Sequence, residues 1–284
     1  MKEKHFKAQE EQKDIYHRAA PPGQVVYLAI QEEADHELGR DSAALAWSGV
    51  AAGLSMGFCM IVQAAIMVYL PESQWRPLVS KFGYTVGFII VILGRQQLFT
   101  ENTLTPILPL LRNPSKSMFG NVLRLWAVVL LTNLIGGFLI AWVAAHTELL
   151  KPEMRAACLE LGKETLEHGF GAALLRAIVA GWLIATMVWL LPYAEAGRLW
   201  VIIIISYVVG LGGFPHIVAS SIPNFYLAAT GEITIGRSFG GFLAPTLIGN
   251  IIGGVSLVAA LAHAQFMAAG RGEEFEDSSR RPKV

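Results

Sequence analysis

One histidine stands inside an otherwise apolar run. His216 follows Gly212-Gly213-Phe214-Pro215 within Leu199–Gly231, a stretch without Asp, Glu, Lys or Arg. An imidazole there could donate a hydrogen bond to an anion or lend it a proton, because its ordinary pKa is about 6.5. The alternative is a structural histidine bonded to a neighbouring carbonyl. A second polar group lies in Gly94-Arg95-Gln96-Gln97-Leu98-Phe99-Thr100-Glu101-Asn102. Arg95 and Glu101 are charges at a depth where charges are costly and are normally paired or pore-facing. They could pair with each other, or Arg95 could attract an anion that Glu101 repels. Thr100 offers its hydroxyl to a ring or a solute, or to a local helix cap. Asn102 is expected to tie down its own loop, Asn133 and Asn250 to bridge helices, and Asn224 to satisfy backbone groups freed by Pro223.

Groups of this kind need a scaffold at membrane depth, and the charge distribution supplies one. The chain has 284 residues, 54% apolar and 15% charged, against about a quarter charged in soluble domains. Ser42–Pro71, Leu125–Thr147, Ala177–Ala194, Leu199–Gly231 and Ser238–Gly270 carry no Asp, Glu, Lys or Arg. A bilayer crossing takes about 20 mainly apolar residues, a length that these runs reach or nearly reach. Phe82–Gly94 is shorter and continues past Arg95 into Gln96–Leu111. A soluble α/β enzyme would have short buried strands and helices with a charged face. The reading is therefore an all-α polytopic membrane protein with six spans at about 43–70, 82–111, 119–146, 170–192, 199–228 and 240–268.

Residues 1–41 read as a cytoplasmic arm, 42–268 as the transmembrane domain and 269–284 as a cytoplasmic tail. Beyond Pro21-Pro22-Gly23, the apolar Val26, Leu28, Ala29, Ile30 and Ala34 beside an acidic cluster suggest an amphipathic surface helix. With both termini inside, 14 Lys and Arg flank the inner face and 6 the outer, with Arg95 and Arg176 left in the bilayer. That bias supports termini inside and places 147–169 outside. Met1 to Asp41 has no apolar core before a cleavage site and does not read as a signal peptide. Net charge near zero gives no case for nucleic acid, and Cys59 and Cys158 make no metal or redox spacing. A lone His216 lacks the ligand cluster of a metal enzyme, and no Walker-type motif offers a nucleotide site. Neither a metal nor a cofactor is expected. Trp142, Trp189 and Trp200 fall near span ends as an aromatic belt would, and His263 reads as an interface residue.

Spans two and five are interrupted in matching places, the middle of each three-span half. Gly94 to Asn102 with Pro106 and Pro109 breaks one; Gly210, Gly212 to His216 and Pro223-Asn224 break the other. Irregular backbone survives at that depth only where protein or a wet cavity satisfies it. Breaks in corresponding positions of two halves point to a transport site, and an exposed helix end favours an anion. Gly49, Gly53 and Gly57, Gly136-Gly137 and Gly253-Gly254 would let helices approach closely.

Four segments in order carry a family resemblance: Gly94 to Asn102, Asn133-Leu134-Ile135-Gly136, Gly213-Phe214-Pro215-His216 with Ala219, and Pro245 to Gly254. Over roughly 35–268 the chain resembles the formate/nitrite transporter family, and looks closest to its divergent YfdC-like inner-membrane branch. The resemblance implies an aquaporin-like six-helix protomer with broken helices 2 and 5, a homopentamer in membrane lipid, and one pore per protomer. It implies a bacterial inner-membrane channel or secondary transporter, not an enzyme, for a small monovalent anion or its weak acid, proton-linked through a central histidine. His216 would face Thr100, and the apolar constrictions map onto Tyr84, Phe88, Leu98, Phe99, Ile184 and Val209. Gln97 stands where the family has an acid, Glu101 where it has a small residue, Pro215 where it has Glu, and Ser220 and Gly181 where it has Asn. Thr165 replaces a vestibule lysine, with Lys163 and His168 close by; with Arg176 these could gather anions, or Arg176 could snorkel outward. The competing readings are a pore for a neutral or cationic solute, favoured by Gln97 and Glu101, and a non-transporting scaffold whose arm binds a partner.

Overall fold

The computed structural model describes residues 23–259. Five helices in this range are long and apolar enough to cross a bilayer: α2 (Ser42–Tyr69), α3 (Arg76–Leu93), α5 (Lys116–His146), α7 (Phe170–Leu190) and α10 (Ile235–Ser256). A sixth crossing is divided between α8 (Arg198–Leu211) and α9 (Ser221–Ala229). At about 1.5 Å per residue their 14 and 9 residues cover the hydrocarbon thickness together and neither does alone. Span two is also divided, into α3 and the short α4 (Ile107–Arg112). The breaks fall at 94–106 and 212–220, where the sequence places them.

Span two starts at Arg76, six residues before the expected boundary, because Pro77 sits in the first helical turn, where its missing N–H costs nothing. Two elements complete the order. Helix α1 (Gly23–Gly39) buries Tyr27, Ile30, Gln31, Ala34 and Leu38, a three-and-four spacing that faces the protein. Leu28 and Ala29, expected on that apolar face, are exposed. Helix α6 (Pro152–Glu164) lies within the 147–169 connection and packs on α2 and α9. Residues 1–22, the end of span six with His263, and the tail 269–284 lie outside the described residues.

The helices pack as two like halves. α2 lies along α5 in the first, and α7 along α10 in the second. The contact is close because side chains are absent where the backbones meet. A Cβ at Gly53 would collide with the carbonyl of Asn133, and one at Gly181 with the carbonyl of Asn250. Gly181 thus has no room for a side chain. Leu131, Ile135, Phe138 and Leu175 are among the large apolar side chains exposed on the outside, as a lipid- or subunit-facing surface requires. Trp142 and Trp200 are exposed near helix ends, whereas Trp189 is partly buried against the core.

Candidate functional site

Both breaks begin with the same chain reversal. After α3, the N–H groups of Gly94 and Gln96 return to the carbonyls of Ile90 and Val91, each at 2.9 Å. After α8, Gly212 and Phe214 return to Val208 and Val209 at 2.9 and 3.0 Å. This closure requires one left-handed residue. It is Arg95 (φ 53°) in the first break and Gly213 (φ 58°) in the second, so only the first carries the Cβ strain of that conformation.

Each loop is then held by one buried asparagine. Asn133 on α5 donates to the carbonyls of Gly49 and Gln97 at 2.9 and 2.8 Å and accepts from the N–H of Phe99 at 2.9 Å. Asn250 on α10 donates to the carbonyls of Ala177 and Pro215 at 2.8 and 3.0 Å and accepts from Ile217 at 2.8 Å. The bridging role expected for both residues is what the geometry shows. All three polar hydrogens and acceptors in each set are satisfied, which is what lets irregular backbone lie in the interior. The residue between the two pinned positions is Leu98 in one loop and His216 in the other.

The loops meet at a single polar contact. Thr100 Oγ1 lies 2.6 Å from His216 Nε2, and both side chains are fully buried. The N–H of Ala219 donates to His216 Nδ1 at 3.0 Å. That bond occupies the Nδ1 lone pair, so a neutral ring carries its hydrogen on Nε2 and donates to Thr100. The Thr100 hydroxyl hydrogen then remains for another acceptor. Thr100 makes no side-chain cap to the turn it precedes. His216 is further confined by the ring of Phe88, edge-on at 5.0 Å, with Tyr84 5.4 Å beyond it.

Two cavities approach this contact from opposite ends. One, of ≈ 90 Å³, lies beneath α6 and is lined by Tyr84, Val209, Pro215, Ala219 and Ser220, among others. The other, of ≈ 300 Å³, lies beneath α1 and reaches Gln97, Glu101 and Asn102. Neither includes Thr100, His216, Phe88, Leu98, Phe99 or Ile184. Those six side chains are buried and form the closed segment between the cavities. Phe99 is held edge-on against Trp126 at 6.0 Å, whose Nε1 donates to the carbonyl of Asn102 at 2.7 Å.

The charged residues settle differently from their expected pairings. Arg95 pairs with Glu33 of α1 at 2.8 Å, and its side chain is 71% exposed. The left-handed turn carries it out toward α1, so it is neither buried nor partnered by Glu101. The Glu101 carboxylate makes no hydrogen bond or ion pair among the described residues, and the residue borders the α1-side cavity. Asn102 ties its loop as expected, donating to Gln97 Oε1 and the carbonyl of Leu98 at 3.0 and 3.2 Å. Gln97 donates to Glu37 at 2.8 Å, a bond that an acid at this position would replace with repulsion. Arg176 is not among the residues that line the α6-side cavity. Its Nη2 caps the end of α8 through the carbonyls of Gly212 and Gly213 at 2.8 and 3.2 Å, where a cation opposes the helix dipole. His168 lines the α6-side cavity; Lys163 does not. Asn224 bonds Thr165 and Ser238 and so joins α9 to its neighbours instead of serving its own backbone.

Two residues at the α6-side cavity were not singled out in the sequence. Lys81 enters it in an ion pair with Glu164 at 2.7 Å. Gln63 lines it from α2, and an amide within a charge-free span was the available signal.

Known proteins resemble the chain over most of its length. Residues 24–264 match the family model described as formate/nitrite transporter. Inner membrane protein YfdC of Escherichia coli (strain K12) is 40% identical over 240 residues, covering 84% of this chain and 77% of that one. Formate channel BtFdhC of Bacillus thuringiensis is 27% identical over 218 residues, covering 72% and 79%. A solved structure described as a pentameric formate channel with formate bound superposes with a TM-score of 0.67 at 17% identity, over 80% of this chain and 98% of that one.

Proposed function

The chain belongs to the formate/nitrite transporter family, and on that premise we propose that it conducts a small monovalent anion, formate or nitrite in type, together with a proton. The observation that carries this reading is the buried Thr100–His216 bond at 2.6 Å, set between two cavities at the junction of both broken spans. A bare anion is costly to bring into a dry segment. A hydrogen bond from Thr100, backed by the Nε2–H of His216, offsets part of that cost, and crossing as the conjugate acid removes the rest. Proton delivery by the ring itself would require Nδ1 to give up the Ala219 N–H, so hydrogen-bond donation is the role that the resting geometry favours. Tyr84, Phe88, Leu98, Phe99, Ile184 and Val209 exclude water on either side.

We read residues 1–41 as a cytoplasmic arm whose helix α1 borders the inner cavity, 42–268 as the channel and 269–284 as a cytoplasmic tail. The fourteen-to-six basic bias supports this orientation, and the name of the E. coli relative supports an inner membrane. The pentameric neighbour supports five pores in one assembly. A cargo that is neutral or cationic is the second reading, favoured by Glu33, Glu37 and Glu101 around the α1-side cavity.

Flux into proteoliposomes across a pH gradient tests both. Formate and nitrite uptake should rise with external acidity and fall in His216→Ala. Glycerol or ammonium flux without formate flux would favour the second reading and defeat the first.

A further inference from the structure

Gln63 holds an acceptor that no donor among the described residues uses. Its Nε2 donates to the carbonyl of Cys59 at 3.0 Å. A carbonyl only accepts, so this bond fixes the amide orientation and turns Oε1 the other way. Oε1 is buried and no donor among the described residues reaches it. The residue is only 5% exposed and lines the α6-side cavity. Gly83 packs against its backbone, where a Cβ would come within 2.5 Å of the Gln63 nitrogen, so the backbone that carries this side chain is fixed by close helix contact. Buried carbonyl acceptors in native proteins are normally paired.

Apart from the exposed His168, the other polar side chains of this cavity have partners among the described residues. Lys81 is bonded to Glu164 at 2.7 Å. Thr165 donates to the carbonyl of Gly162 at 2.6 Å and accepts from Asn224 at 2.9 Å. The Tyr84 hydroxyl stands 3.5 Å from Ser220. An amide oxygen carries partial negative charge and no hydrogen, so it repels a carboxylate and accepts from an O–H. We propose that Gln63 is a specificity-determining residue that accepts the O–H of an undissociated weak acid at the α6-side mouth. The proposal rests on the transport reading above. It pairs an acceptor at the mouth with the donor that Thr100 presents farther in. The form of the solute that Gln63 selects is the one able to cross the dry segment.

The test measures concentration-dependent flux into proteoliposomes at one fixed, mildly acidic pH. Formate is compared with nitrate, which stays an anion there. Gln63→Met keeps the length of the side chain and removes the acceptor, whereas Gln63→Glu keeps an oxygen in place. Size-exclusion elution checks assembly, and Gln63→Leu replaces the Met variant if that one fails to assemble. The expected result is a rise of about fivefold in half-saturating formate for Gln63→Met. Nitrate flux should not fall, and Gln63→Glu should lie between Met and wild type. Unchanged formate saturation, or formate and nitrate falling together, overturns the proposal and leaves the transport reading intact. Absence of formate flux in assembled wild type removes both.

Discussion

Asn133 and Asn250 hold the loops 94–106 and 212–220 with the same three bonds, yet the residue between the pinned positions is Leu98 in one and His216 in the other. The asparagine bonds owe nothing to either apex side chain, since they run to main-chain N–H and C=O groups, and His216 Nδ1 adds a bond of its own from the Ala219 N–H. That separation leaves the apex residue free to differ, and the protein places its chemistry on one loop and a dry wall on the other. The two loops differ a second time at their left-handed residue, with arginine at Arg95 and glycine at Gly213. The first loop accepts strain where an ion pair to Glu33 draws the side chain out to α1. The second has Arg176 covering the same turn from α7.

If the two asparagines are equivalent, Asn133→Ala and Asn250→Ala should each cost more than about 3 kcal/mol, because each strands three buried backbone groups. Chemical denaturation in detergent would read this, and unequal losses would break the symmetry of the halves. Giving the second loop the apex of the first, His216→Leu, should cut formate flux about a hundredfold, roughly 3 kcal/mol of lost polar stabilisation in the closed segment, with assembly intact. Unchanged flux would show that both loops merely support the pore. A smaller contrast lies in the turns. Gly213→Ala should destabilise by about 1 kcal/mol, while Arg95→Gly should be neutral or slightly stabilising as relieved strain offsets a largely exposed ion pair. Equal effects of one sign at both positions would contradict the strain difference. The smallest change expected is for Gln97→Glu, which sets a carboxylate against Glu37. Amide exchange over Tyr27–Leu38 should quicken by about fivefold, whereas Asn102→Ala, which spares that bond, should leave α1 less affected.

Much of this was legible in the chain. The breaks at Gly94 and Gly212 follow from glycine, proline and polar residues interrupting apolar runs. The apolar positions of α1 follow from helical spacing, although Leu28 and Ala29 fell on its exposed face because a short acidic helix fixes its rotation poorly. The resemblance brought Thr100 to His216 correctly. Of the two readings left open for Arg95 and Glu101, mutual pairing gives way to an Arg95–Glu33 pair, because the left-handed turn sends Arg95 toward α1. Helix α6 went unread because its charged residues resemble those of any solvated connection.

The sequence by itself determined which segments enter the bilayer, where two of them break and which family the chain follows. Those properties are sums over local windows, in which every residue contributes by its own hydration and backbone preference. Tertiary structure alone decided the partners: which nitrogen of His216 faces Thr100, that Asn250 reaches both sides of His216, that Arg176 caps a helix of another span, and that Gln63 is left with an acceptor that no donor among the described residues reaches. Each of these joins groups from distant parts of the chain, and hydrogen bonding demands placement to a few tenths of an ångström. Only the packing of whole helices sets positions that finely.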